Sequence, residues 1–442
     1  MSGFADPTPS PTPSSAPLRL SLPRCLLDPA LAGWPVATGG SVDGLVALEL
    51  EHGQGRITAL RPLPVAEAAT PLPLALPPLV EPHAHLDKCF TVGRWPNRSG
   101  SLLGALAQNH REAAERTVER VLARAEQALE RAWRQGLRAI RSHVDSGGAS
   151  GSASWEALLE LRRRWAGRVE LQLVALVPLA HWSTPQGEAL ARWVADQGGL
   201  LGGVLGPPYG HRPEDRSALI ALLALAERLG TGVDLHIDEA DLAPALGVRQ
   251  LLAVVERRHP GVPITCSHAA SLGLLPEERL APLAERLAAA GLAVVALPLT
   301  NLWLLGRRPA GSPLLRVQAP VRSLQRAGVR VALGADNVQD PWYPGGDFDP
   351  LELLRLAPLT SHLQPDLRQG LSPFTTEAAR LLGLTWDGVV RVGAPADLIL
   401  LAASDWTELL ARSPQRRVLR GGVWLPPPPG QLPSPLLVAS MG

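Results

Sequence analysis

Short apolar segments alternate with helix-type segments along most of this chain, and that alternation limits its possible folds more than any other feature. The apolar segments predict eight strands, at residues 79–85, 138–145, 168–178, 201–206, 231–238, 262–268, 292–299 and 329–336. Stretches with helical periodicity lie between most of them, at 111–135, 214–229, 246–258 and 276–290. Eight such units predict an α/β protein with a (β/α)8 TIM-type barrel, and a doubly wound open sheet is the alternative.

Both ends of the chain carry further strand patterns. These patterns lie at 45–50, 56–60, 396–401 and 417–424. We therefore expect residues 17–76 and 390–430 to form one small composite β unit around a barrel of residues 77–389. Residues 1–16 are rich in Pro, Ser and Thr and are expected to form a disordered tail.

Charge and composition exclude several classes of function. A net charge of +1 over 442 residues offers no basic surface for nucleic acid or an acidic membrane. We see no apolar run of the roughly 18 residues that span a bilayer and no secretory signal pattern. Three cysteines are too few for a disulfide framework, so we expect a soluble cytoplasmic protein. No glycine-rich dinucleotide motif or P-loop is present, which argues against nucleotide cofactors.

His83 and His85 end the first predicted strand. Side chains alternate along a strand, so two histidines separated by one residue share a face. Two imidazoles at one strand end can bind a metal ion from one side. The alternative is an ordinary pair of surface histidines.

Polar side chains also end four later strands of the eight. These strand ends read Ser142-His143-Val144-Asp145, Asp234-Leu235-His236-Ile237-Asp238-Glu239, Thr265-Cys266-Ser267-His268 and Gly334-Ala335-Asp336-Asn337. Catalytic groups of (β/α)8 barrels lie at the carboxyl ends of the strands. The pattern therefore predicts one site at that edge.

A metal site is the chemistry that these residue types favour. His83, His85, His236 and Asp336 supply three imidazoles and one carboxylate, which suit one divalent ion, Zn²⁺ or Fe²⁺. Such an ion lowers the pKa of bound water to about 7 and so provides hydroxide at neutral pH. Asp336 could instead cap a helix.

Five further side chains are candidates for catalysis or substrate binding. Glu239 is placed to carry a proton from the nucleophile to the leaving nitrogen, and His268 to hold the attacking water or the developing oxyanion. Trp342 could form a flat wall for a planar substrate. Lys88, the only lysine, follows His85 by three residues. His143 is a weaker candidate for substrate contact. Structural or solvent-facing roles are the alternatives for all five.

Together these residues resemble the amidohydrolase superfamily, and within it the cytosine deaminase-like group. The similarity spans about residues 40–424, and its specific segments are 81–87, 142–145, 234–239, 267–268 and 334–344. The resemblance implies a distorted barrel with a β-sandwich built from both chain ends. It also implies one metal ion on the four ligands above, with Glu239 as proton shuttle, His268 as its partner and Trp342 as a pocket wall. Superfamily members with two metals bridge them through a lysine of the fourth strand, and this chain has none there.

Two positions depart from the cytosine deaminase pattern. A glutamine expected after the third strand is replaced by Pro178, and an aspartate expected after the metal aspartate is replaced by Asn337. Proline has no side-chain hydrogen bond to offer, and an amide both donates and accepts. These changes argue against cytosine as the substrate and leave C–N bond hydrolysis unaffected.

The sequence therefore predicts a metal-dependent hydrolase that acts on a C–N bond of a nitrogen heterocycle, like a cyclic amidine deaminase. One alternative releases an alkylamine from a triazine-type ring or opens a cyclic amide. An alternative of another class is a catalytically inactive barrel scaffold. The expected partner is a small nitrogen heterocycle, with no nucleic acid or membrane partner, and a homo-oligomer is possible.

Overall fold

A computed structural model describes most of the chain. The described residues are 16–31, 33–34, 44–68, 70–208, 213–308, 311–364, 368–426 and 434–439. The predicted tail lies outside them apart from residue 16. The chain divides into two compact units, one formed by Met1–Pro78, Asp366–Arg368 and Gly388–Gly442, the other by Leu79–Pro365 and Gln369–Asp387.

The described residues form fifteen strands. They are β1 Leu18–Pro23, β2 Leu45–Gly53, β3 Arg56–Pro62, β4 Leu74–Leu76, β5 Leu79–Ala84, β6 Leu137–Asp145, β7 Glu170–Leu176, β8 Leu200–Leu205, β9 Val233–Ile237, β10 Ile264–His268, β11 Ala293–Ala296, β12 Arg330–Leu333, β13 Leu398–Leu401, β14 Arg416–Arg420 and β15 Val423–Trp424.

The helices of the described residues lie mostly between strands β5 and β13. They are α1 Val65–Ala68, α2 Leu102–Ala113, α3 Val118–Gln135, α4 Gly148–Arg164, α5 Pro185–Asp196, α6 Pro213–Leu229, α7 Leu246–Arg258, α8 Glu277–Ala289, α9 Pro298–Leu304, α10 Val321–Arg326, α11 Pro350–Ser361, α12 Arg368–Leu371, α13 Thr376–Leu382, α14 Trp406–Ala411 and α15 Pro435–Ala439. Short 3₁₀ turns lie at Arg24–Leu26, Pro29–Leu31, Leu179–Ser183, Ala270–Leu274 and Ser372–Phe374.

Strands β5 to β12 form an eight-stranded sheet in chain order, and every neighbouring pair is parallel. A parallel bridge between Ala84 and Asp336 joins the first strand to the segment after the last, so the sheet nearly closes. The predicted (β/α)8 barrel is thus confirmed, and the doubly wound alternative is wrong.

The other sheet has seven strands in the order β15-β14-β13-β4-β1-β2-β3. Strand β13 pairs antiparallel with β4, so this sheet combines strands from both ends of the chain, as predicted. Leucines on alternate positions of β1 and β2 are buried, including Leu20, Leu22 and Leu48, and they form the core of this unit.

The stretch 111–135, which has helical periodicity, is helical but is not one continuous helix. Two helices, α2 and α3, occupy this region and are separated at residues 114–117. The side chain of Thr117 accepts a hydrogen bond from the backbone N–H of Arg120 and so begins α3. Arg116, in the break, is buried and donates to Asp87 at 2.9 Å.

None of the helices in the described part of the chain has the length and apolar character that crossing a bilayer requires.

Candidate active site

Side chains from three distant strand ends meet at the carboxyl edge of the barrel. Nε2 of His83 and Nε2 of His85 lie 3.4 and 3.3 Å from Oδ1 of Asp336. Nε2 of His236 lies 3.3 Å from Nε2 of His85. All four side chains are at most 6% exposed. The structure therefore brings together the four ligands predicted from sequence.

The seam between the first and last barrel strands holds His83 and Asp336 in place. The buried carboxylate of Glu81 accepts hydrogen bonds from the backbone N–H groups of His83, at 3.1 Å, and Ala335, at 3.0 Å. The backbone N–H of Asp336 donates to the carbonyl of His83 at 3.1 Å. A Cβ atom at Gly334 would lie 2.6 Å from the Glu81 carboxylate, so only glycine fits there.

Burial and mutual proximity set the charge states of these groups. Burial, with the neighbouring imidazole of His83, lowers the pKa of His236 well below its usual value. Burial and the charge of Lys88 lower the pKa of His85. Burial alone would raise the pKa of Asp336, but the imidazoles of His83 and His85 hold it well below its usual range. Neutral imidazoles at His85 and His236 beside the ionised carboxylate of Asp336 are the protonation states that metal ligands need.

Unsatisfied polar atoms point into the space between these side chains. Among the described residues, no hydrogen-bond partner reaches Nε2 of His83 or either carboxylate oxygen of Asp336. Buried polar atoms without partners are costly, and a bound cation would satisfy them. The ligand atoms of His83, His85 and Asp336 lie within 4.8 Å of one another. This donor set fits a divalent ion of the kind bound by imidazole and carboxylate.

A hydrogen-bonded chain behind His83 fixes the direction of its ring. Nδ1 of His83 lies 2.9 Å from Oγ of Ser267, and that hydroxyl donates to Oδ1 of Asp234 at 2.7 Å. Asp234 can only accept, so Ser267 accepts the Nδ1–H of His83. The lone pair of His83 is then on Nε2, which faces the other ligands. Arg141 donates to the second oxygen of Asp234 at 2.9 Å.

Glu239 and His268 line the same cavity as three of the four proposed ligands and are also buried. Nε2 of His268 is 3.7 Å from a carboxylate oxygen of Glu239. The side-chain amide of Asn301 donates to Nδ1 of His268 at 2.9 Å, which leaves the ring proton on Nε2. Burial lowers the pKa of His268 to about 3, so the ring is neutral. His268 therefore presents an N–H donor next to a carboxylate.

A cavity of about 380 Å³ opens onto this cluster. Its lining includes His85, His236, Asp336, Glu239 and His268, and also Lys88, Asn337, Trp342 and Pro178. The volume lies within the roughly 300–1,000 Å³ of small-molecule sites. The cavity therefore gives a small molecule access to all the candidate groups named above except His83 and His143.

Trp342 and Lys88 form one side of the cavity. Trp342 is 9% exposed and packs on apolar residues that include Leu304 and Val317, so it is anchored as well as facing the cavity. Nζ of Lys88 lies 4.9 Å from the Trp342 ring centroid and donates to Asp145 at 2.8 Å. The lysine charge is paired, and it lies against an aromatic face.

His143 contacts the proposed ligands but does not face the cavity. Its ring stacks on that of His83 at a centroid distance of 3.9 Å and is fully buried. It is not among the residues that line the cavity. The structure thus places His143 behind a proposed ligand, and direct contact with substrate stays a prediction.

Several residues of the site escaped sequence reasoning. They are Glu81, Asp234, Ser267 and Asn301. Ser267 and Asp234 lie at strand ends already singled out, so their position was a usable signal. Asn301 follows the seventh barrel strand, where no polar motif stood out.

The fold and the site define a class of protein: a (β/α)8-barrel hydrolase with its reactive groups at the carboxyl ends of the strands. The model of the amidohydrolase family matches residues 91–425, and the chain belongs to that family. It is a hydrolase of C–N bonds other than peptide bonds. The match covers Glu239, His268 and Asp336 and begins after His83 and His85.

Individual relatives agree with this assignment. The chain is 34% identical over 390 residues to pterin deaminase of Rhizobium rhizogenes, covering 86% of this chain and 88% of that protein. A structure of 5-methylcytosine deaminase from Klebsiella pneumoniae matches with a TM-score of 0.77 and 28% identity, over 91% of this chain and 99% of that one. N-isopropylammelide isopropylaminohydrolase from Burkholderia multivorans matches with a TM-score of 0.67 and 29% identity, over 92% and 98%.

Proposed function

We propose that this protein is a metal-dependent deaminase that hydrolyses an exocyclic C–N bond of a nitrogen heterocycle and releases ammonia. The observation that carries the proposal is the convergence of His83, His85, His236 and Asp336 within 3.3–3.4 Å contacts at the floor of a cavity. These residues would hold one divalent ion, Zn²⁺ or Fe²⁺. When bound, such an ion acts as a Lewis acid that lowers the pKa of water to about 7.

The residues around the four ligands supply the proton transfers. Glu239 takes a proton from the attacking water and delivers it to the departing nitrogen. The Nε2–H of His268 donates to the oxygen that becomes bonded to the ring carbon. The new C–O bond replaces the C–N bond, and the amino group leaves as ammonia. Asn301 keeps His268 in the tautomer that this step needs.

The relatives indicate which ring to test first. Pterin, the substrate in the name of the 34% identical relative, is a flat fused bicycle. Trp342 offers a flat wall in a cavity of about 380 Å³. Pro178 lines the same cavity and offers no side-chain hydrogen bond to a pyrimidine. We therefore place pterin before cytosine as the candidate substrate.

The test is ammonia release from purified protein supplied separately with Zn²⁺ and Fe²⁺. The panel contains pterin, 5-methylcytosine, cytosine, guanine and a cyclic ureide. Ammonia release from at least one amino-substituted ring supports the proposal. No release from any of them, with the ion bound, contradicts it.

A second candidate keeps the chemistry and changes the leaving group. The 29% identity to an isopropylaminohydrolase, over 98% of that chain, favours testing an alkylamine-substituted triazine. Release of isopropylamine from N-isopropylammelide without ammonia release from pterin would select this alternative. The inactive scaffold finds no support in the site, since all four ligands and Glu239 are present.

Location in the cytoplasm and homo-oligomer formation stay predictions of the sequence.

A further inference from the structure

Asn337 is held by a carboxylate that lies outside the proposed catalytic machinery. The side-chain amide nitrogen of Asn337 donates to Oδ2 of Asp340 at 2.7 Å. The other oxygen of Asp340 accepts the backbone N–H groups of Trp342, at 2.8 Å, and Tyr343, at 3.2 Å. Asp340 is fully buried. All three of these hydrogen bonds to the carboxylate come from N–H donors.

This arrangement determines which end of the amide faces the cavity. A carboxylate can only accept hydrogen bonds, so the NH₂ group of Asn337 must point to Asp340. Asn337 is buried, and it lines the cavity. The amide therefore offers its carbonyl oxygen, an acceptor, to a bound molecule. We infer that Asp340 makes Asn337 an acceptor and so selects substrates that carry an N–H donor beside the reacting carbon.

The position of Asn337 in the chain relates this acceptor to the reaction. Asn337 directly follows Asp336, and both residues line the cavity together with His85 and His236. Glu239, the proposed proton carrier, needs a ring nitrogen or amino group that can take a proton. The two residues together match an amino-bearing carbon that has an N–H on one side and a bare ring nitrogen on the other.

That description fits one class of ring. In 2-amino-4-oxopyrimidine rings, which include pterin, isocytosine and guanine, the amino carbon lies between a lactam N–H and an unprotonated nitrogen. In cytosine, the amino carbon lies between an unprotonated nitrogen and a C–H. An acceptor at Asn337 therefore favours the first class. This inference rests on the proposed function and narrows its substrate.

Two bicycles of the same shape test the inference directly. Pterin carries the lactam N–H, whereas 2,4-diaminopteridine has a bare nitrogen at that position. We measure binding of each to the Zn²⁺-loaded protein by calorimetry and ammonia release from each in parallel. Both measurements are made at a pH above the pKa of Asp340 and below that of the pterin lactam. Wild-type protein should bind pterin at least about tenfold more tightly than 2,4-diaminopteridine, because the latter leaves the buried oxygen of Asn337 without a donor.

Substitution of Asp340 should reverse this preference. In Asp340→Asn, the new amide can keep the two backbone contacts through its oxygen and donate its NH₂ to the oxygen of Asn337. The NH₂ of Asn337 then faces the cavity. The affinity for pterin should therefore fall by about tenfold, and the affinity for 2,4-diaminopteridine should rise. Asn337→Ala should bring the two affinities close together. Thermal unfolding of both variants shows whether they are folded.

The outcomes separate this inference from the proposed function. Equal binding of both bicycles by wild-type protein, or an unchanged preference in folded Asp340→Asn, overturns the inference. Ammonia release from cytosine but not from pterin also overturns it, while the proposed function survives. Pterin-selective binding without ammonia release from any ring supports the inference and contradicts the proposed function.

Discussion

Glu239 is the residue on which the proposed proton transfers depend. It is 3% exposed, lines the cavity and lies 3.7 Å from Nε2 of His268. We expect Glu239→Gln to lower kcat by about 10²–10⁴-fold, the usual contribution of a general acid–base. The metal content of the Glu239→Gln protein should not change, because Glu239 is not one of the four proposed ligands.

The measurement is ammonia release together with metal analysis of the same sample. Glu285→Gln, a change at an exposed position on α8, is the matched control. Equal kcat for Glu239→Gln and wild type would remove Glu239 from the mechanism.

Asp340 connects substrate preference to pH. Burial raises the pKa of Asp340 to about 7, although the amide of Asn337 and the charge of Lys88 oppose this rise. Below that pH the carboxyl is protonated and can donate to the oxygen of Asn337, so the amide no longer has to present an acceptor. The preference for pterin over 2,4-diaminopteridine should therefore shrink as pH falls through about 7.

The ratio of the two affinities, corrected for ionisation of the ligands, is the measurement that checks this. Effects of pH on a bound metal ion are common to both ligands and cancel in the ratio. A ratio that stays constant from well above to well below neutral pH would contradict the role given to Asp340.

Ser267 provides a test of how the ligands are oriented. Its hydroxyl joins Nδ1 of His83, at 2.9 Å, to Asp234, at 2.7 Å. Loss of such a partner behind a metal ligand typically costs about 10–100-fold in metal affinity. We expect Ser267→Ala to weaken Zn²⁺ binding by that factor, as measured by competition with a chromophoric chelator. Ser267→Thr keeps the hydroxyl and should bind more tightly than Ser267→Ala; equal affinities for all three proteins would show that the chain of hydrogen bonds does not orient His83.

At the scale of elements, the barrel that carries the site requires close packing of β8 against its neighbouring strands. Gly202 in β8 lies against both neighbouring strands: a Cβ atom there would be 2.8 Å from the carbonyl oxygen of Ala175 and 2.9 Å from that of Asp234. Backbone atoms cannot move aside easily, so Gly202→Ala should destabilise the protein by about 1–3 kcal/mol. Denaturant unfolding measures this change. Gly261→Ala, with no atom within 4 Å of the added carbon, is the control and should be nearly neutral.

The elements themselves were largely predictable from local patterns. All eight barrel strands lie where apolar runs predicted them, because parallel strands are buried on both faces and so read as continuous apolar segments. The capping residue Thr117 was a local signal for the start of α3. The contact of Arg116 with Asp87 joins distant parts of the chain, and no local pattern reveals it.

The site also combines features that local sequence predicts with contacts between distant residues that it does not. His83, His85, His236 and Asp336 were predicted from one rule, that the catalytic groups of a barrel lie at its strand ends, and sequence order is enough to apply it. The direction of the Asn337 amide was not predictable, because it depends on the loop that turns the carboxylate of Asp340 toward it. The relay from His83 to Asp234 depends on the alignment of β9 with β10, where Ser267 lies beside His236.

At the scale of the whole molecule, the proposed metal site depends on the closure of the barrel. His83 and Asp336 are 253 positions apart in the chain, and the backbone of one donates to the other only because the eighth strand returns to the first. An ion bound by both His83 and Asp336 would link the first and last barrel strands at the same place. Removal of metal with a chelator should therefore lower both activity and Tm, since an ion that binds only the folded state stabilises it. Restoring Zn²⁺ or Fe²⁺ should recover both, and a Tm that does not respond to either ion would contradict this coupling.

The most direct measurement is the metal content of the purified protein by mass spectrometry, after growth with added zinc or iron. We predict about one ion per chain in the wild-type protein, as expected for a single site of four ligands, and a large loss in His236→Ala and Asp336→Ala proteins that remain folded. A wild-type protein that stays essentially free of metal under both conditions, or substituted proteins that keep a full complement, would contradict the account.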